Sequence, residues 1–162
     1  MNNNKFTHIK NKKLSMVDTS DKKSTKREAS ALATIKFKKE VYKTIKTGGS
    51  SKGEIFSTAR IAAIQGAKKT YELIPLCHNV KIDFVSVVFT FIDTKHSVQI
   101  NSIVKTNDNT GVEMEALSTV TIAALTVYDM CKSIDKGIEI ESIKLISKSG
   151  GKSGFYNNDS IW

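Results

Sequence analysis

A histidine at position 78 follows an apolar segment that ends in a proline turn, Ile74-Pro75-Leu76-Cys77-His78. Imidazole titrates near neutral pH, so this side chain is suited to general acid–base catalysis. The same context is also typical of a structural histidine near the C-terminus of a helix. The residues alone leave both interpretations open.

Carboxylates stand at both ends of one long apolar pattern. Glu113 and Glu115 lie at a loop-to-helix junction, where the helix dipole favours acidic side chains whether or not they have a chemical role. Asp129 and Lys132 are three residues apart, so on a helix they share a face and can form an ion pair. A solvated ion pair is the alternative to a catalytic one.

Two segments combine lysine with glycine. Lys148-Ser149-Gly150-Gly151-Lys152-Ser153-Gly154 is not a Walker A motif, because its glycine spacing differs and it follows the last predicted strand with no helix after it. Its backbone N–H groups, with Lys148 and Lys152, could still bind phosphates. Lys52 occupies a second such turn. A flexible tail is the alternative for the first segment.

Periodicity predicts the elements that must position these residues. Alternating apolar residues predict a strand over 28–37, and helical spacing predicts a short helix over 38–47 that ends at Gly48. Small residues three and four apart predict a second helix that packs close to another backbone, stopped by the single proline, Pro75. They are Ala59, Ala62, Ala63, Gly66 and Ala67.

The second half of the chain predicts strands over 82–92 and 98–105, a turn-rich loop over 106–111, a helix over 113–134 and a strand over 138–146. Without the short first helix this is a β-α-β-β-α-β order. It predicts an α+β, ferredoxin-like split βαβ fold, an antiparallel sheet with helices packed on one face. The other face would be free to meet a second subunit.

The expected domain organisation is a flexible N-terminal arm over 1–26, a single catalytic domain over 27–154 and a C-terminal tail over 155–162. Within the long helix, Glu115 and Asp129 are fourteen residues apart, which is roughly 21 Å along the axis. Both cannot reach one small pocket from one straight helix. If both are catalytic, the pocket must combine two subunits.

The net charge of +9 favours a polyanionic partner, either nucleic acid or a phosphorylated small molecule. A small basic RNA-binding protein of split-βαβ fold is therefore an alternative. Against it, Phe84 and Phe89 differ in strand parity, and no RNP-like motif is present. No apolar run reaches membrane-spanning length and no signal sequence is visible, so a cytoplasmic protein with free thiols at Cys77 and Cys131 is expected.

Eight segments stand in this order along the chain: Met16-Val17-Asp18, Arg27-Glu28-Ala29, Lys52-Gly53-Glu54, Ala59-Arg60-Ile61-Ala62, Ile74-Pro75-Leu76-Cys77-His78, Gly111-Val112-Glu113-Met114-Glu115-Ala116-Leu117, Tyr128-Asp129-Met130-Cys131-Lys132 and Lys148-Ser149-Gly150-Gly151-Lys152-Ser153-Gly154. Taken together, they resemble the MoaC family of molybdenum cofactor biosynthesis, and the likeness extends from Thr7 to Gly154. Two positions depart from the family pattern: Asn79 replaces the usual proline, and Ser50 and Ser51 replace frequent histidines.

The resemblance implies a lyase that converts 3′,8-cyclo-7,8-dihydroguanosine triphosphate to cyclic pyranopterin monophosphate and releases pyrophosphate. It implies a homohexamer, a trimer of dimers, and a substrate supplied by a radical-SAM enzyme acting on GTP. No cofactor, metal, membrane or nucleic acid is expected. Asp129 would be catalytic, with Lys132 tuning its charge. The implied substrate-binding residues are Lys52, Leu76, Cys77, His78, Glu113, Met114, Glu115, Lys148 and Lys152.

Overall fold

The computed structural model describes residues 7–10, 12–48 and 55–158. Lys52 lies outside the described residues. Within them the elements are β1 (Ile9–Lys10), β2 (Lys13–Leu14), β3 (Thr25–Lys36), α1 (Lys39–Lys46), α2 (Ile55–Lys68), α3 (Thr70–Leu73), β4 (Phe84–Ile92), a 3₁₀ turn (Asp93–Lys95), β5 (Ser97–Asp108), α4 (Glu113–Cys131), β6 (Glu139–Ser149) and β7 (Tyr156–Asn157).

The main sheet has the order β4-β5-β3-β6-β7, and every neighbouring pair is antiparallel. With α2 after β3 and α4 after β5, this is the split βαβ arrangement. The predicted ferredoxin-like α+β fold is therefore confirmed. Strand β3 is central and pairs with β5 along its whole length, from Thr25 opposite Asp108 to Lys36 opposite Ser97. A separate small hairpin joins β1 and β2.

Alternation along β3 builds the core. Ala29, Ala31, Ala33 and Ile35 are buried at every second position, and α4 packs across β3, β5 and β6. The small residues of α2 allow it to approach α4 closely. At Gly66 an added Cβ would lie 2.7 Å from the Cγ1 atom of Ile122, so even a methyl group does not fit. The predicted close packing of this helix is confirmed.

Several predicted boundaries were wrong by up to three residues, among them the ends of β5 and α4. Residues 106–108 were predicted as loop, yet they extend β5 because they pair with the start of β3. The helix predicted over 113–134 ends at Cys131. In both places tertiary pairing or a local turn overrides the residue preferences. The prediction for Gly48 is confirmed: its φ of 72° follows the end of α1.

The aromatic residues of β4 divide between the two faces of the sheet, as their parity predicted. Phe89 and Phe91 pack against Phe56 on the helix side. Phe84 is exposed, and Lys105 Nζ lies 5.8 Å from the centre of its ring. This face of β4 therefore lacks the row of stacking aromatics that RNA-binding sheets use. In the part of the chain that the structure describes, no helix is long and apolar enough to cross a bilayer.

Candidate active site

Two adjoining cavities lie where the loop after β5, the first turn of α4 and the end of β6 meet. The first, here called the histidine cavity, has a volume of about 480 Å³ and includes Cys77, His78 and Glu115 in its lining. The second, here called the lysine cavity, measures about 760 Å³ and includes Lys152. The residues that line both are Lys22, Thr110, Gly111, Glu113 and Lys148.

His78 is held in a defined orientation. A turn after α3, with the Cys77 N–H donating to the Ile74 carbonyl at 3.0 Å, starts the loop that carries it. The ring nitrogen Nε2 lies 2.8 Å from the Val17 carbonyl oxygen. Because a carbonyl oxygen only accepts, Nε2 must carry the proton in this contact. In the neutral ring Nδ1 is then the acceptor, so His78 is set up to receive a proton at that atom.

Glu115 is 4% exposed although it lies in the first turn of a helix. Burial raises its pKa to about 7, and the charges of Glu113 and Asp108 add to the rise. Burial also raises the pKa of the Cys77 thiol, with a smaller contribution from Glu115. A carboxyl group that titrates near neutral pH can both give and accept a proton under physiological conditions. The simple helix-capping interpretation does not explain this burial.

Lys148 connects the two cavities. Its Nζ atom lies 3.2 Å from Glu113 Oε1 and donates to Ser153 Oγ at 2.5 Å. The side chains of Lys148 and Glu113 are 23% and 29% exposed, so the pair is partly shielded from water. A substrate anion that approaches Lys148 would therefore compete with the Glu113 carboxylate for the same ammonium group.

The glycine-rich segment after β6 forms a tight turn around the lysine cavity. Gly150 and Gly151 have φ values of 94° and 72°, which favour glycine. The cavity is lined by five cationic side chains against three carboxylates, so it attracts anions overall. The cationic side chains are Lys22, Lys23, Arg27, Lys148 and Lys152.

The predicted site residues therefore separate into two groups. The histidine cavity is lined by Leu76, Cys77, His78, Glu113, Met114, Glu115 and Lys148. The lysine cavity is lined by Glu113, Lys148 and Lys152. Neither cavity is lined by Asp129 or Lys132. The predicted ion pair between them does form, with Lys132 Nζ 2.5 Å from Asp129 Oδ1. Hydrogen bonding to Asp129 raises the pKa of Lys132.

Several lining residues were not singled out as site residues from the sequence. Val17 and Lys22 belong to a segment interpreted as a flexible arm, and Arg27 was quoted only as part of a family segment. Asn109 was interpreted only as a turn former. The sequence did contain one signal for Val17, since Met16-Val17-Asp18 is among the segments that resemble the family. The interpretation of residues 1–26 as a flexible arm ignored this signal.

In the described residues, no group of three or more His, Cys, Asp or Glu side chains is arranged to hold a metal ion. The fold and the two cavities define an α+β protein in which a cavity lined by His78 and Glu115 adjoins a cavity lined by an excess of cationic side chains.

Comparison with known proteins identifies the family. The model of the MoaC family matches residues 16–151, and the chain belongs to this family. A relative from Peptoclostridium acidaminophilum, named cyclic pyranopterin monophosphate synthase, is 45% identical over 157 residues. The match covers 96% of this chain and 99% of the relative. The family resemblance found in the sequence is thereby confirmed.

Among solved structures, the full extracellular region of zebrafish Gpr126/Adgrg6 matches with a TM-score of 0.28 and 15% identity. That match covers 75% of this chain and 14% of the other. A similarity this low says nothing about function.

Proposed function

We propose that this protein is a lyase of molybdenum cofactor biosynthesis that converts 3′,8-cyclo-7,8-dihydroguanosine triphosphate to cyclic pyranopterin monophosphate and pyrophosphate. The observation that carries the proposal is the 45% identity, over 96% of the chain, with a relative named for this product. The two cavities supply the two kinds of recognition that such a substrate requires.

The histidine cavity suits the purine-derived ring system. His78 and Glu115 line it: the pKa of Glu115 is raised to about 7, and the hydrogen bond from His78 Nε2 leaves Nδ1 of the neutral ring as a proton acceptor. Opening and closing a ring requires protons to be added and removed at ring nitrogens and carbonyl oxygens. We assign these transfers to the two side chains, with Met114 and Leu76 providing apolar contact.

The lysine cavity suits the triphosphate. Its excess of cationic side chains would neutralise the phosphates, and Lys148 and Lys152, with Lys52, would stabilise the departing pyrophosphate. In this step a sugar hydroxyl attacks the α-phosphorus and a new O–P bond forms. The bond from that phosphorus to the bridging oxygen breaks, pyrophosphate leaves, and the hydroxyl proton passes to a base.

We assign the base to Asp129, with Lys132 favouring its ionised form. Since neither residue lines the cavities of its own chain, Asp129 would reach the substrate of a neighbouring subunit. The proposed assembly is a homohexamer, a trimer of dimers, with active sites between subunits. We place the enzyme in the cytoplasm, where a radical-SAM enzyme acting on GTP would supply its substrate.

The test is turnover by the purified chain alone. The cyclised GTP derivative is added, pyrophosphate is quantified, and the pterin product is followed by fluorescence after oxidation. We expect equal amounts of the two products. Salt-dependent RNA binding without pterin formation would instead support the RNA-binding alternative and overturn this proposal.

A further inference from the structure

Residues 17–22, here called the strap, form neither a helix nor a strand and contribute to the lining of both cavities. Val17 lines the histidine cavity and Lys22 lines both. The strap is mostly exposed, yet Thr19 is only 9% exposed. A segment with one buried residue and no regular structure depends on a few specific contacts for its position.

Three contacts organise the strap from within. Asp18 Oδ1 accepts from the Ser20 N–H at 3.0 Å and from Ser20 Oγ at 2.5 Å. The Lys22 N–H donates to the Thr19 carbonyl at 3.0 Å. These bonds give the strap a local turn, but they do not attach it to the rest of the protein.

Two side chains from separate loops make the attachment. His78 Nε2 donates to the Val17 carbonyl at 2.8 Å, and Asn109 Nδ2 donates to the Thr19 carbonyl at 3.1 Å. Asn109 is itself oriented, because its backbone N–H donates to Asp108 Oδ1 at 2.6 Å. The two anchored carbonyls are two residues apart, so an ordered Thr19 restricts where the Val17 carbonyl can lie.

We infer that Asn109 is a positioning residue for the site, acting through the strap. By holding the Thr19 carbonyl it keeps the Val17 carbonyl in place, which fixes the proton of His78 on Nε2 and leaves Nδ1 as the acceptor. It also keeps Lys22 at the junction of the two cavities. The catalytic consequence rests on the proposed function, whereas the structural consequence does not.

The expected effect of losing this bond follows from its chemistry. Without an amide donor at position 109, the Thr19 carbonyl keeps only the bond from the Lys22 N–H, which lies within the strap, and the strap opens more often. His78 then loses its fixed acceptor, and the ring can rotate or exchange tautomers. The ring orientation with Nδ1 as the acceptor is then only one of several that His78 adopts. We therefore expect the catalytic rate to fall more than the substrate affinity.

The test uses the full chain and two substitutions that remove the donor, Asn109→Asp and Asn109→Ala. Asn107→Asp is the matched control, since this exposed residue lies two positions before Asn109, near the end of β5, and lines neither cavity. Hydrogen–deuterium exchange read by mass spectrometry follows the amides of the strap and the C2 proton of His78. We expect both Asn109 variants to speed strap exchange on the order of tenfold, with faster His78 exchange. The control should match the unsubstituted protein.

Activity provides the second measurement. We expect kcat to fall about tenfold in both Asn109 variants, with an altered pH profile. KM should change little in Asn109→Ala, whereas the carboxylate that Asn109→Asp places in the lining of the lysine cavity should also raise KM. Unchanged exchange at the strap and His78 would overturn the inference whatever the activity. If the unsubstituted protein formed no pterin, the proposed function would fail, yet the exchange experiment would still decide whether Asn109 positions His78.

Discussion

Lys148 Nζ lies 3.2 Å from Glu113 Oε1, at the junction of the histidine and lysine cavities. The pair joins the end of β6 to the first turn of α4, two elements that are distant in sequence. Because both side chains are more than two-thirds shielded from water, their attraction is stronger than that of an exposed pair. Under the proposed function, a bound phosphate would share the Lys148 ammonium group, so this pair would link phosphate binding to the charge beside Glu115.

Replacing Lys148 with methionine should weaken substrate capture. The change removes one cation from the lysine cavity and leaves Glu113 to repel the phosphates. We expect kcat/KM to fall by about 10- to 100-fold, equivalent to about 1.5–3 kcal/mol for a charged hydrogen bond. Lys36→Met is the control, since Lys36 pairs with Glu141 at 3.3 Å outside both cavities. Equal losses in the two variants would show that Lys148 has no specific role.

Glu115 should make the protein less stable as the pH rises. Its pKa is raised from 4.5 to about 7, so the folded protein keeps a proton that the unfolded chain has released. The stabilisation is complete below pH 4.5 and is lost as the pH rises through about 7. Glu115→Gln abolishes this titration. The variant should therefore be the more stable form at pH 8, by at most about 3 kcal/mol.

Urea unfolding at pH 5 and pH 8 measures this difference. Glu139→Gln is the control, because Glu139 is exposed at the start of β6. It should keep the pH dependence of the unsubstituted protein. An identical pH dependence in the Glu115→Gln protein would mean that Glu115 is not the group responsible.

The sequence predicts the central elements well and the site only in part. Alternation at Ala29, Ala31 and Ala33 directly encodes a strand with one buried face, so β3 could be found from local information. Residues 106–108 are turn formers and were therefore predicted as loop. They lie in β5 because they pair with a strand about eighty residues earlier in the chain. Pairing between distant segments is not contained in a local pattern.

The same distinction applies to the site. The type and order of His78, Glu115 and Lys148 predicted a shared function, and these residues line adjoining cavities. The sequence could not show that Glu115 is buried, because acidic residues in a first turn are ordinarily solvated. Nor could it place the strap, whose position depends on side chains 61 and 90 residues away.

The turn at Gly150 should tolerate no side chain. An added Cβ would lie 2.3 Å from the Lys26 carbonyl oxygen, and the φ of 94° already disfavours other residues. We expect Gly150→Ala to lower the free energy of unfolding by about 1–3 kcal/mol and to reduce kcat/KM by displacing Lys148. Gly154→Ala, with a φ of 64° and nothing within 4 Å, should cost about 1 kcal/mol with kcat/KM intact. Both effects are measured from urea midpoints and initial rates. Similar effects in the two variants would contradict a steric clash between the added Cβ and the Lys26 carbonyl oxygen.

Mixing two inactive variants tests the proposed sharing of sites. Glu115 lies in the first turn of α4 and Asp129 in its last turns, roughly 21 Å along the axis. We expect Glu115→Gln and Asp129→Asn each to be nearly inactive alone. If each site takes Glu115 from one subunit and Asp129 from another, co-expression at equal levels should restore about a quarter of the activity, because random assembly leaves that share of sites intact. A site within one chain would give no recovery, since every chain would carry one defect. Near-normal turnover by the Asp129→Asn protein alone would remove Asp129 from the mechanism.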